Sequence, residues 1–296
     1  MPNFRLPLIV ASVAVIAAAC GFAGSASPPA SNPASAPPTS GSGVDHPTGA
    51  TDVVLQLEEG GGFVPSDFLA GQAPVFTLFG DGRVVFQPTV TSFPEPGPDG
   101  VIRNVPWRTA RLDEGQIEEL LTFALGQGGL GAARDNYGND MVADASTSTF
   151  KVNAGGVNKT VSVYALGIED ANATDLVPRR AFRILADRLR DFDRGGTIAT
   201  DVYLPDNFRA VLVEREGDSQ AKPIAWPWPD LKMSDFKANI NGVGAQQFPH
   251  RTITAVDVLE LGLGDLPGGV QGVTLTGPDG KVYSLTLRPL LPHETE

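Results

Sequence analysis

The chain is poor in the side chains that usually announce chemistry. Its 296 residues include one cysteine and three histidines. A lone thiol at Cys20 allows no intramolecular disulfide and no thiolate metal site. His46 falls in a stretch rich in small residues and His293 near the C-terminus, which leaves His250 as the histidine of the body. A Ser–His–carboxylate triad could be built only around His250, and no Gly-x-Ser-x-Gly elbow accompanies it. Basic residues are also scarce: 22 Lys and Arg stand against 34 Asp and Glu, a net charge of −12. That balance excludes a nucleic-acid footprint and broad adsorption to anionic lipid. Long apolar runs are missing too. Leu6–Ala19 would reach about 21 Å as a helix, short of a hydrocarbon core of roughly 30 Å.

That short run does carry information. It follows Arg5 and ends in Ala17-Ala18-Ala19-Cys20, the build of an export signal. The four residues resemble the bacterial lipobox, although Ala17 stands where Leu is commoner. The resemblance implies cleavage before Cys20 and diacylation of its sulfur, and so a lipid anchor on the outer side of the cell membrane. Ordinary cleavage after Ala19 would instead leave a free thiol. Of the 31 residues from Cys20 to Ala50, 25 are Ala, Gly, Ser, Pro or Thr, and none is Lys or Arg. Such a tract buries too little surface to offset its ordering entropy. The composition therefore predicts a signal peptide over 1–19 and a disordered tether over 20–51.

The body reads as α+β, with antiparallel β-hairpins and two or three amphipathic helices. Two β-rich runs flank Gly80-Asp81-Gly82 in "PVFTLFGDGRVVF", the pattern of a tight hairpin. Similar hairpins are expected around Gly155-Gly156 and around Pro278-Asp279-Gly280. Asp113 with Gln116 forms a capping-box signature ahead of Ile117, Leu120, Leu121 and Ala124. A second helix is expected over 175–194 and a short third one from Thr254. A break near 199–206 suggests subdomains at 52–199 and 200–296. The runs "VVLQLEEGGGFVP", "FTLFGDGRVVF", "VSVYALG" and "LTLRPLLP" together resemble a group of uncharacterised actinobacterial-type lipoproteins, a likeness that implies a shared architecture and no activity.

The search for a site yields weak patterns. "SDFK" (Ser234–Lys237) matches Ser-x-x-Lys, but no Lys-Thr-Gly partner follows it, so it reads as a polar helix turn. Asp135, Asn136, Asn139, Asp140 and Asp144 are rich in oxygen, but their spacing is not that of an EF-hand, so calcium there stays open. "EEGGGF" (Glu58–Phe63) lacks the Lys and Ser/Thr that cradle phosphate. Arg179, Arg183, Arg190 and Arg194 fall on one side of the second helix and read as a solvated ridge. Trp226 and Trp228, held extended by alternating prolines, are the expected contact for a partner. No catalytic, cofactor-binding or metal-binding residue is assigned, and no cofactor. The expectation is a cell-envelope binding or interaction module, held to the membrane through lipidated Cys20, with no nucleic-acid partner. The alternatives are a hydrolase with a non-standard site near His250 and a purely structural envelope component.

Overall fold

Hydrophobic alternation and glycine turns build most of this fold. The computed structural model describes residues 43–64, 68–69, 71–168, 174–215, 223–238 and 248–294. The proposed signal, Cys20 and most of the tether lie outside them.

The first sheet contains β1 (Val53–Gly60), β2 (Pro74–Phe79), β3 (Arg83–Phe86), β5 (Arg108–Arg111), β6 (Asn136–Tyr137), β7 (Thr147–Ala154), β8 (Val157–Tyr164) and β9 (Asp201–Val202), in the order β6-β8-β7-β1-β2-β3-β5-β9. Two expected hairpins are present in it. Phe76 pairs with Phe86 across Gly80-Asp81-Gly82, and Ala154 pairs with Val157 across Gly155-Gly156. Both of the latter glycines have positive φ, 58° and 74°, as a two-residue turn matched to strand twist requires.

The second sheet runs β11-β13-β14-β10-β12, from β10 (Asn207–Glu214), β11 (Ile224–Ala225), β12 (His250–Thr254), β13 (Val270–Thr276) and β14 (Val282–Pro289). The early strand β4 (Ile102–Arg103) pairs with β13. The third hairpin joins β13 to β14, with Thr276 opposite Val282. The sheets are mixed rather than purely antiparallel, because β6 runs parallel to β8 and β11 parallel to β13. Both added strands are two residues long, below the length at which periodicity can be read.

Among the described residues, three α-helices lie against these sheets: α1 (Glu114–Leu125), α2 (Leu176–Arg190) and α3 (Ala255–Leu259). The capping box on α1 forms as expected, with Gln116 N donating to Asp113 Oδ1 and Asp113 N to Gln116 Oε1, both at 2.9 Å. The apolar faces of α1 and α2 close one core over Leu55, Leu57, Phe76, Leu78 and Phe150. A second core joins Phe208, Ala210, Leu212 and Leu285 to Trp228, Phe236 and Val258. Residues Gly43–Glu296 form one compact unit that contains both cores.

Residues 43–50 were assigned to the tether by composition, but they pack on this unit. The Asp45 carbonyl accepts from Gly155 N at 2.7 Å, and Val44 packs against the first core. The side chain of His46 is only 4% exposed. Its Nδ1–H donates to the Pro47 carbonyl at 2.7 Å, and its Nε2 lies 3.2 Å from Glu114 Oε1. Small residues made the tract look unable to pack, yet here smallness permits close backbone approach. A Cβ on Gly80 would fall 2.4 Å from the Pro47 carbonyl oxygen and 2.8 Å from Gly49 N.

The α2 ridge also differs from expectation. Arg179 is 1% exposed. Its Nε donates to Asp175 Oδ2 at 3.0 Å, and its Nη atoms donate to the carbonyls of Tyr164, Tyr137 and Gly138. Arg190 ties α2 to Glu59 on β1 and to Asp187, while Arg183 and Arg194 stay exposed. Helical angle alone groups these arginines, whereas nearby carbonyls draw Arg179 inward.

Two outcomes follow for stability. Arg179→Met should cost about 3–5 kcal/mol in urea unfolding, since it leaves three carbonyls and Asp175 without their shared donor. Gly80→Ala should cost about 1–3 kcal/mol and speed proteolytic removal of residues 43–50; unchanged cleavage would mean that the segment is not held there.

Candidate functional site

The residues singled out from sequence do not come together. Trp228 is 1% exposed, and its indole N–H donates to the Asp257 carbonyl at 2.8 Å. Trp226 is half-buried, packs edge-on against Trp228 at 5.1 Å, and donates to the carbonyls of Trp228 and Leu231. The pair plugs the second core instead of offering a partner contact. Alternating prolines hold the segment extended, and that geometry serves inward packing as well as outward display.

His250 begins β12 opposite Val211, with Nδ1–H donating to the Phe248 carbonyl at 2.8 Å. Ser234 sits exposed on a 3-10 turn, and Lys237 pairs with His250 through backbone bonds at 3.1 Å. Glu58 and Glu59 belong to β1, which ends at Gly60. Around Asp135–Asp144, the Asn139 side chain is used on Met141 N and the Ile168 carbonyl. Among the described residues, no three His, Cys, Asp or Glu side chains gather as a metal site, and no helix is long and apolar enough to cross a membrane.

The chemically richer region involves His293, which sequence position left out of the body. Arg288, on β14, is 2% exposed and makes a fork with Glu294, both Nη–Oε distances being 2.8 Å. Leu291 N donates to the same carboxylate at 2.8 Å. Burial alone would raise the Glu294 carboxyl; the hydrogen bond and charge of Arg288 outweigh it and hold it below its ordinary value. The turn so formed places His293 5.6 Å from Phe79, ring to ring. Gln56 Nε2 donates to Thr77 Oγ1 at 3.1 Å and lies 3.4 Å from His293 Nε2. Gln56 and Thr77 occupy the face of the first sheet opposite Leu55, Leu57 and Phe76. Burial lowers the His293 pKa, a tendency opposed by Glu294 and Glu58 and reinforced by Lys151 and Arg288.

Beside this turn, two hollows flank the segment linking β9 to β10. A polar pocket of about 380 Å³ is lined by Arg83, Tyr203, Asp206, Asn207 and Glu294. A largely apolar groove of about 350 Å³ is lined by Pro205, Val256, Leu259, Leu266 and Pro267, with Asp265 as its one charged lining residue. Leu204 lines both. The Tyr203 hydroxyl donates to the Leu290 carbonyl at 2.8 Å, and burial pushes its pKa up to about 12. Glu294 is occupied by Arg288, so neither group is free to move a proton near neutral pH.

No protein-family model, curated protein or solved structure matches the chain. The site therefore rests on geometry. Sequence did signal a break near 199–206, but the polar pocket draws on β3, the β9–β10 segment and the C-terminal turn, and no local pattern joins those.

The buried pair and His293 set an acid sensitivity. His293 is harder to protonate folded than unfolded, so its contribution is complete above its ordinary value of 6.5 and fades as pH falls below it. The contribution of Glu294 is present above its ordinary value of 4.5 and is lost as pH drops through the lower folded value. Urea unfolding should thus show stability falling from near pH 6.5, by at most about 1.4 kcal/mol per pH unit for one proton. His293→Gln should flatten the upper part of that fall and Arg288→Met the lower.

Proposed function

We propose that this chain is a lipid-anchored binding module of the cell envelope, carried on the extracytoplasmic face of the membrane. The anchor is Cys20, behind the apolar stretch Leu6–Ala19 and the lipobox-like Ala17-Ala18-Ala19. Two acyl chains would hold it stably, since each buried methylene contributes about 0.8 kcal/mol. The folded unit begins at Gly43, so 22 residues separate it from Cys20. The likeness to actinobacterial-type lipoproteins agrees with this address.

One observation favours binding over catalysis. The Glu294 carboxylate and the Tyr203 phenol in the cleft are both committed to internal partners, so neither serves there as a poised acid or base, and the walls offer shape and charge. The contact surface moves accordingly from Trp226 and Trp228 to the cleft along 203–208.

Intact mass of the protein extracted from its native membrane tests the anchor. The expected mass is that of the chain from Cys20 plus acyl groups, and a Cys20→Ala variant should lose those groups and leave the membrane fraction. An unmodified soluble product cut after Ala19 would overturn the anchoring.

A further inference from the structure

We infer that the two hollows joined at Leu204 form one site for a single-chain amphiphile with a zwitterionic head. This rests on the reading of the chain as a binding module and names the ligand class. The largely apolar half, which Asp265 also lines, is open to solvent: Leu204 is 75% exposed, Val256 69% and Leu259 55%. Three neighbouring aliphatic side chains this exposed leave the groove wall wet. Its volume of about 350 Å³ is over twice the roughly 150 Å³ that accepts a benzene-sized guest. A flexible hydrocarbon chain is the occupant that follows a groove and dries it without needing a polar partner.

The polar half states what the head must be. The Arg83 guanidinium donates from Nη2 to the Ala50 carbonyl at 3.0 Å and lies 5.3 Å from the Phe79 ring centre. Among the described residues no carboxylate pairs with it. The Asp206 carboxylate likewise has no cation partner among them. Both charges act on the Tyr203 phenol, behind the dominant effect of burial. Among the described residues the pocket thus holds a guanidinium and a carboxylate that form no ion pair, with each other or with another group. Glu294 adds no free charge, since Arg288 neutralises it. A head carrying an anionic group for Arg83 and an ammonium for Asp206 matches both, whereas a head of one sign leaves one of them opposed.

The chain direction agrees. Along 203–208, Tyr203, Asp206 and Asn207 line the polar pocket, while Pro205 and Phe208 line the groove. Leu204 stands at the joint, where head would meet tail.

Calorimetric titration of the full chain in its Cys20→Ala form tests the site, with dodecyl lysophosphatidylethanolamine below its micelle concentration. Dodecanoate and dodecylamine are the single-charge controls. The zwitterion should bind at least about tenfold tighter than either control. Arg83→Gln and Asp206→Asn should each remove about tenfold of that affinity. A tail two carbons shorter should bind about 4- to 15-fold more weakly, the upper figure holding for complete burial. Val256→Asp, at a position exposed enough to accept charge without unfolding, should also weaken binding at least tenfold, with an unchanged melting temperature. Absence of saturable binding, equal affinity for the three heads, or wild-type affinity in Val256→Asp would overturn the inference. Because the titration does not depend on acylation, its failure leaves the anchor standing, and an unacylated native protein leaves the cleft standing.

Discussion

The Arg288–Glu294 fork is the contact on which the candidate cleft depends. Two charges are taken almost wholly out of water, which costs several kcal/mol per ion unless the geometry compensates. Here both carboxylate oxygens meet the guanidinium at 2.8 Å, and a backbone N–H adds a third bond. A pair that is expensive to bury and makes these bonds only in one arrangement tolerates little slippage, even though Arg288 Nε itself has no hydrogen-bond partner among the described residues. It therefore sets where residues 290–294 lie. That turn brings His293 to Phe79 on the first sheet, gives Tyr203 its acceptor at Leu290, and supplies the inner wall of the polar pocket.

The cleft arises where the chain leaves one sheet and enters the other. Strand β9 ends on the first sheet at Val202, and β10 starts the second at Asn207. The intervening residues belong to neither ladder, so their side chains are free to face different hollows. Tyr203 is stacked on Trp107 at 6.2 Å and anchors one end, while the Asp206 carbonyl accepts from Ala255 N at the start of α3 and anchors the other. Leu204 between them is left 75% exposed. A structural connection has become the place where an apolar wall and a charged wall meet.

The proposed membrane anchor and the proposed amphiphile cleft are consistent in kind, since an anchor would limit encounters to molecules near the bilayer. The acidic balance of the chain fits as well. With a net charge of −12, the body is repelled from anionic headgroups, and recognition falls to local charges such as Arg83 and Asp206.

The sequence by itself determined what depends on neighbours within a few residues. Gly155-Gly156 turns a hairpin because both positions need positive φ, and Asp113 with Gln116 starts α1 because their side chains reach each other's backbone. The proposed export and anchoring signals would be equally local, and so are the excluded chemistries of a chain with one thiol. Only the tertiary structure decided which polar groups are buried. Arg179 looked like part of a solvated ridge, His293 like a tail residue, Trp228 like a surface contact, and residues 43–50 like tether. In each case the deciding partner is distant along the chain: the Tyr137 carbonyl for Arg179, Gln56 for His293, Asp257 for Trp228, and Gly155 for Asp45. Periodicity reports the face on which a residue lies; burial depends on what the rest of the chain folds against that face.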